Sequence, residues 1–110
     1  MKKLLLILAL FSVSAHAEFR DGNRLLSDMT SENYQTRALA LGYVMGVSDA
    51  YYGILHCAPA NATSGQIFDM VQNYLTNRPI ERTKPADNII NHVMKSAWPC
   101  ENKRDRGQSL

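Results

Sequence analysis

The stretch Thr63-Ser-Gly-Gln-Ile-Phe-Asp-Met-Val-Gln-Asn-Tyr-Leu-Thr-Asn77 carries the clearest helical pattern in the chain. Thr63 and Gln66 form a capping box, in which side chains satisfy the free backbone N–H groups of a first helical turn. The apolar residues that follow fill one arc of a helix: Ile67, Phe68, Met70, Val71, Tyr74 and Leu75. The polar residues fill the other arc: Asp69, Gln72, Asn73 and Thr76. This separation predicts an amphipathic surface helix over Ser64–Asn77.

Downstream, residues 78–84 are the most polar internal stretch of the chain. Pro79 lies inside this stretch and Pro85 follows it. Because proline restricts the backbone, we predict a projecting and partly stiffened loop. Pro85 also suits the first turn of a last helix over residues 86–98, which Pro99 ends. The residues expected to face inward on this helix are Ala86, Ile89, Ile90, Val93, Met94 and Ala97.

Upstream, we predict a loop over residues 57–62 and the longest helix over residues 32–55. The apolar residues of this helix do not keep to one face, which in a water-soluble protein indicates burial on more than one side. They are Tyr34, Leu39, Leu41, Val44, Val47, Tyr51 and Ile54. We expect either the central helix of the domain or a dimer-forming helix. A short helix over residues 21–29 precedes it, and since no stretch alternates as a strand would, the predicted fold is an all-α bundle of four to five helices.

Three glycines fall on one narrow stripe of the long predicted helix. Gly42, Gly46 and Gly53 are separated by four and seven residues, so at 100° per residue they share a side. A glycine inside a helix costs about 1 kcal/mol relative to alanine. We therefore predict close helix packing at this stripe, either inside the domain or at the seam of a homodimer.

The two cysteines, Cys57 and Cys100, are predicted to form one disulfide, because an oxidising compartment makes this the default. The alternative is a thiolate nucleophile at Cys57, which follows His56, but no orienting acid is apparent nearby in the sequence.

The N-terminus has the features of a cleaved secretory signal over residues 1–17. Lys2 and Lys3 precede an apolar run from Leu4 to Val13, which is about half the length that a membrane span needs. We therefore expect a periplasmic protein with its domain over residues 18–100 and a disordered, mixed-charge tail over residues 101–110. Without the signal, the 12 Lys and Arg fall to ten against 10 Asp and Glu. The net charge therefore does not predict binding to nucleic acid, nor to a membrane after signal cleavage.

The sequence offers little catalytic chemistry. His56 and His92 lie on different predicted elements and both cysteines are expected to be oxidised, so no metal or other cofactor is expected. Asp49, which lies in the apolar helix beside the glycine stripe, is the best single candidate for a carboxylate with a perturbed pKa, although one buried acid is more often structural. These observations favour a binding protein over an enzyme.

Three segments together resemble the Rap/Tai family of periplasmic immunity proteins, which protect bacteria from the amidase effectors of type VI secretion. The segments are Gly42-Tyr-Val-Met-Gly-Val-Ser-Asp-Ala50, then Cys57-Ala-Pro with Thr63-Ser-Gly-Gln66, then Tyr74-Leu-Thr-Asn-Arg78-Pro79 running to Pro85-Ala86 and Ala97-Trp-Pro-Cys100. The resemblance covers residues 22–100. Many family members carry a further cysteine where this chain has Ala40 and Leu41.

The resemblance implies an all-helical homodimer that occludes the cleft of a papain-like peptidoglycan amidase and needs no catalytic residue of its own. It also implies contacts from a surface helix and a protruding loop, here residues 64–77 and 78–84. The implied effector-binding residues are Asp69, Gln72, Asn73, Arg78, Glu81 and Arg82. We expect charge reversal at Arg82 together with Glu81 to weaken binding and to leave thermal stability nearly unchanged. The alternative function is a periplasmic acid-stress chaperone of the small, helical, disulfide-bonded type.

Overall fold

The computed structural model of the protein describes residues 19–101. Its elements are α1 (Gly22–Met29), α2 (Tyr34–Ala50), α3 (Ser64–Asn77), a 3₁₀ helix (Pro79–Thr83) and α4 (Ala86–Ala97). No β-strand occurs within residues 19–101, where pairing is limited to two isolated bridges. The predicted all-α fold is therefore confirmed. The predicted signal over residues 1–17 and residues 102–110 of the predicted tail lie outside the described residues.

The first three helices begin at polar caps that can be recognised in the sequence. A side-chain oxygen of Asp21 accepts a hydrogen bond from the Arg24 amide at 2.8 Å. Asn33 and Thr63 accept equivalent bonds from the amides three residues later, each at 3.1 Å. Such caps satisfy backbone N–H groups that have no partner inside the helix. The bounds predicted for α3 are confirmed on both sides.

The C-terminal end of α2 differs from the prediction, because the helix ends at Ala50 and not near residue 55. In a continuing helix, the Tyr52 amide would reach the Ser48 carbonyl, but it bonds to the Asp49 carbonyl at 3.4 Å. The Ser48 carbonyl is bonded at 2.7 Å to Nε2 of His56, whose side chain is buried. The chain turns at Gly53, whose φ of 78° suits glycine. A bond from beyond the turn therefore takes the place of the next helical bond.

The four helices within residues 19–101 all contribute to one core, and each of them contacts the three others. The buried hydrophobic residues are Leu25, Met29, Ala40, Val44, Ile67, Val71, Leu75, Ala86, Ile89, Ile90, Val93 and Met94. Of the residues expected to face inward on α4, Ala97 is exposed at the end of the helix. None of the helices within residues 19–101 is both long and apolar enough to cross a membrane.

The outer face of α2 is open, which corrects the expectation of glycine close packing inside the domain. A Cβ atom added at Gly42 or Gly46 would meet no atom within 4 Å. Gly53 lies beyond the end of the helix and does not extend the stripe. Leu39 is 71% exposed. Some of the apolar residues from which we predicted burial of this helix on more than one side therefore face solvent. The homodimer seam remains a prediction.

Cys57 and Cys100 form the predicted disulfide, with their Cα atoms 4.8 Å apart. This bond joins the loop before α3 to the segment after α4. The Cys57 amide also donates a hydrogen bond to the Trp98 carbonyl at 2.8 Å. Since both sulfur atoms are in the disulfide, Cys57 is not available as a nucleophile.

Candidate binding surface

The segment between α3 and α4, residues 78–85, is fixed at its start by the side chain of Arg82. Arg82 Nε donates a hydrogen bond to the Leu75 carbonyl at 2.6 Å, and Nη2 donates one to the Thr76 carbonyl at 2.9 Å. Both carbonyls lie in the last turn of α3, where no further helical amide follows to satisfy them. The guanidinium therefore caps α3 and holds the 3₁₀ helix against it.

The other end of this segment is fixed by the backbone at the start of α1 and just before it. The Gly22 amide donates to the Lys84 carbonyl at 3.0 Å, and the Ala86 amide donates to the Arg20 carbonyl at 2.8 Å. The approach at Gly22 is close, because an added Cβ would lie 2.6 Å from Ile89 Cδ1 and 2.8 Å from Arg82 Cα. Only glycine fits there without displacing its neighbours. Residues 78–85 are thus held from both sides.

The side chains of this segment separate according to the 3₁₀ period, in which residues three apart lie on one side. Arg78, Glu81 and Lys84 line one groove together. Arg82 points to the end of α3, as its two hydrogen bonds show. Ile80 belongs to neither set and is 85% exposed. The segment therefore presents charged groups on one side and an isoleucine to solvent on another.

We name the groove lined by Tyr74, Arg78, Glu81, Lys84, Asn88, Ile89 and His92 the α3/α4 groove. Its volume is about 510 Å³. The rings of Tyr74 and His92 contact each other in a tilted arrangement, with centroids 5.5 Å apart. The guanidinium carbon of Arg78 lies 5.0 Å from the Tyr74 ring centroid, a cation–π contact that orients this side chain.

The charges in the α3/α4 groove are coupled. Glu81 and Lys84 form an ion pair, in which Lys84 is exposed and Glu81 is half-buried. The hydrogen bond from Lys84 lowers the pKa of Glu81, with a smaller contribution from the charge of Arg78. The same hydrogen bond raises the pKa of Lys84. Both residues therefore stay charged across the neutral pH range, so the groove offers a carboxylate beside two cations.

A second groove lies on the opposite side of α3, towards α2. It is lined by Tyr34, Arg37, Ala38, Leu41, Gly65, Phe68 and Asp69, and its volume is about 300 Å³. Tyr34 is 76% exposed at its edge. Aromatic and aliphatic side chains dominate the lining, with Arg37 and Asp69 as its charged groups. We name it the α2/α3 groove.

The six contact residues implied by the resemblance do not form one cluster. Arg78 and Glu81 line the α3/α4 groove, and Asn73 lines an adjoining depression on the same side of α3. Asp69 lines the α2/α3 groove, and Gln72 is half-buried on that same side by its helical spacing from Phe68. Any partner that contacts the whole set must span the outer face of α3.

Arg82 requires a correction. The expectation was an exposed contact residue whose charge reversal leaves stability nearly unchanged. The structure places its guanidinium on two backbone carbonyls of α3, so the expectation about stability is wrong. The cause is a side-chain to backbone contact across seven residues, which the polar composition of this segment does not reveal.

Sequence reasoning also missed residues that shape this surface. Tyr74 belongs to the apolar arc of the predicted helix, but it is half-buried and supports Arg78. His92 and Lys84 line the same groove, and Ile80 is the most exposed apolar side chain of the segment. The available signal for Ile80 was that it is the one apolar residue in an otherwise polar and proline-containing stretch.

The residues suggested by other chemistry are not assembled into a site. The carboxylate of Asp49 is exposed on α2 and lines neither groove. Within residues 19–101, no three His, Cys, Asp or Glu side chains lie close enough together to hold a metal ion. The two grooves and the segment between α3 and α4 are suited to contact with another molecule through shape, charge and apolar area.

The sequence profile of the Rap1a immunity proteins matches residues 21–100, which include α1 to α4 and both cysteines. The chain belongs to the family of Rap1a immunity proteins. No curated protein matches the chain. An immunity protein acts in a bacterial toxin system by binding its cognate effector, and proteins of this family are in general inhibitors without enzymatic activity. The two grooves and the segment between α3 and α4 of this immunity protein are therefore its candidate effector-binding surface.

Proposed function

We propose that this immunity protein acts in the periplasm and neutralises a peptidoglycan amidase effector of type VI secretion by occluding its active-site cleft. The observation that carries the proposal is the segment of residues 78–85, which is held by Arg82 on one side and by Gly22 and Arg20 on the other. An inhibitor that enters a cleft binds tightly when its inserted segment is ordered beforehand, because little conformational entropy is then lost on binding.

Two features support a periplasmic location. The first is the secretory signal expected over residues 1–17. The second is the disulfide between Cys57 and Cys100, since disulfides persist in oxidising compartments such as the bacterial periplasm. An immunity protein in this compartment would meet an effector that attacks the cell wall from the periplasmic side.

The outer face of α2 supports a homodimer. Gly42 and Gly46 leave open backbone surface on this face, and Leu39 adds an exposed apolar side chain next to them. Two copies of α2 could approach closely there, which would offset the cost of placing glycines inside a helix. A two-fold axis would place the same residues on both sides of the seam.

The direct test is inhibition of the cognate amidase by the purified, processed immunity protein. We expect stoichiometric binding in isothermal titration calorimetry and loss of peptidoglycan hydrolysis at a one-to-one ratio of chains. An active-site cysteine variant of the amidase should still bind, because the immunity protein blocks access and does not react. Failure to bind any cysteine-histidine amidase encoded beside its gene would exclude the proposal.

A matched pair of charge reversals tests the surface. Arg78→Glu changes a guanidinium that stacks on Tyr74 in the α3/α4 groove, whereas Lys95→Glu changes an exposed cation of α4 that lines neither groove. We expect the first to raise the Kd about 10-fold or more and the second to change it less than about 2-fold. Equal effects would place the interface elsewhere.

The homodimer is tested by Gly42→Ala. In the monomer, the added methyl group meets open space, and alanine is favoured over glycine in a helix by about 1 kcal/mol. At a tightly packed seam, the same methyl group separates the two backbones. We therefore expect a higher thermal midpoint at low concentration together with weaker dimerisation in analytical ultracentrifugation. Unchanged self-association would place the seam on another face.

A further inference from the structure

Ile80 stands out among the residues of the proposed interface, although no charge or hydrogen-bonding function draws attention to it. Its side chain is 85% exposed near the start of the 3₁₀ helix. Single exposed apolar residues are common on protein surfaces and by themselves indicate nothing. What distinguishes Ile80 is the rigidity of the backbone that carries it and the polar groups that surround it.

The backbone on both sides of Ile80 is ordered by contacts already described. Arg82, two residues later, is hydrogen-bonded to the end of α3. The Ile80 carbonyl itself accepts a hydrogen bond from the Thr83 hydroxyl at 3.2 Å. A β-branched side chain has few rotamers to lose. Burying Ile80 in a partner would therefore gain apolar contact at a small ordering cost.

The neighbours of Ile80 have the arrangement found around residues that dominate binding energy. Such residues are surrounded by contacts that add little binding energy themselves but exclude water. Arg78 and Glu81 lie on one side of Ile80, and Thr83 follows on its own side of the 3₁₀ helix. The guanidinium of Arg78 stacks on Tyr74 and forms no hydrogen bond within residues 19–101, so its N–H groups are free to bind a partner.

We propose that Ile80 is the apolar anchor of the effector complex and inserts into an apolar pocket in the wall of the effector's cleft. Arg78 then lies at the rim of that pocket, where a carboxylate of the effector would match it. This inference rests on the proposed function. It adds two things to that function: the residue that supplies most of the apolar contact, and the apolar chemistry of the pocket that receives this residue.

Ile54 provides a matched control within the same chain. It is also an exposed isoleucine, with 72% of its surface accessible, and it lies in the turn after α2, outside both grooves. Ile80→Ser and Ile54→Ser remove the same apolar atoms from comparably exposed positions. Ile80→Val removes one methylene and keeps the branched shape, so it serves as the conservative variant.

The experiment measures the Kd of the full processed chain and of these three variants for the cognate amidase by isothermal titration calorimetry. We expect Ile80→Ser to raise the Kd about 30-fold or more, which is the usual threshold for a dominant interface residue. Ile80→Val should stay within about 5-fold, and Ile54→Ser within about 2-fold. Thermal midpoints should agree among all four proteins, because both isoleucines are exposed in the free chain.

The outcomes separate this inference from the proposed function. If the wild-type chain binds the amidase and Ile80→Ser binds equally well, the anchor is wrong and the proposed function stands. If both serine variants weaken binding to the same extent, the effect reflects general surface hydrophobicity and the anchor is again wrong. If the wild-type chain binds and inhibits no amidase, the proposed function fails and the anchor fails with it.

Discussion

Two connections between helices are ordered by different kinds of contact. They are the loop between α2 and α3 (residues 51–63) and the segment between α3 and α4 (residues 78–85). Each reverses the chain, exposes one isoleucine and caps the preceding helix with a side chain from beyond its end. His56 caps α2 and Arg82 caps α3. The first loop has a buried cap and a covalent bond, whereas the second has a half-buried cap and only non-covalent contacts.

The hydrogen bonds of the buried cap assign a role to each nitrogen of the His56 ring. His56 Nε2 lies 2.7 Å from the Ser48 carbonyl, so this nitrogen carries the proton and donates it. Nδ1 accepts a hydrogen bond from the Ala58 amide at 3.3 Å. Both ring nitrogens therefore take part in hydrogen bonds. The comparison shows that order in a loop can come from burial and covalent closure, or from a few hydrogen bonds that leave neighbouring side chains free for a partner.

The largest effect should come from removing the covalent bond of the first loop. Cys57→Ala with Cys100→Ala opens a loop with a sequence separation of 43 residues. The chain-entropy relation predicts a loss of about 4 kcal/mol in the free energy of unfolding, measured by urea denaturation. Reduction of the wild-type chain with dithiothreitol should give a similar loss. A loss below about 1 kcal/mol would show that the non-covalent contacts of this loop suffice.

The second effect concerns the buried cap. His56→Ala removes both hydrogen bonds, leaves the Ser48 carbonyl without its partner and opens a cavity. We expect a loss of about 3 kcal/mol in the free energy of unfolding. His92→Ala is the control, because His92 is exposed, and it should cost less than about 1 kcal/mol. Equal losses would contradict the assignment of His56 as a cap.

A smaller effect is expected for the half-buried cap of the second segment. Arg82→Ala leaves the Leu75 and Thr76 carbonyls to water, which should cost about 1–2 kcal/mol in urea denaturation. Arg78→Ala is the control, since Arg78 is exposed, stacks on Tyr74 and caps no helix with its side chain, and it should cost less. Effector binding should fall in both variants for different reasons. Hydrogen exchange of residues 78–84 should quicken only in Arg82→Ala.

The smallest effect is the pH dependence of the ion pair between Glu81 and Lys84. The Lys84 hydrogen bond lowers the pKa of Glu81 in the folded state, so its contribution is present above the unfolded pKa and is lost as pH falls through the folded value. In thermal unfolding, the difference between wild type and Glu81→Gln should therefore be small at pH 7 and should shrink as the pH falls below the unfolded pKa of about 4.3 and through the lowered folded value. A difference that does not shrink as the pH falls through this acid range would contradict this assignment.

Local signals in the sequence predicted most helix positions. The Thr63 cap and the apolar period of the following residues gave both bounds of α3, and Pro85 indicated the start of α4. These signals work because caps, prolines and periodicity act within one or two turns of the chain. The pairing of the two cysteines followed from their number alone.

Features that depend on contacts across the fold could not be predicted in this way. Tyr51 and Ile54 continue the apolar pattern of α2, so the sequence suggested a longer helix than the one that His56 ends. The composition of residues 78–84 indicated a polar loop but could not separate Arg82, which points inward, from Arg78, which points into a groove. Glycines at this spacing occur both on open helix faces and on packed ones. The spacing alone therefore could not show that the face with Gly42 and Gly46 is open.

The position of the disulfide affects what proteolytic cleavage does to the protein. Cys57 precedes α3 and Cys100 follows α4, so these two helices and the segment between them form one closed ring of chain. A protease that cuts a single peptide bond inside this ring leaves both fragments attached to each other. A single cleavage between α3 and α4 would thus not release either helix of the proposed effector-binding surface.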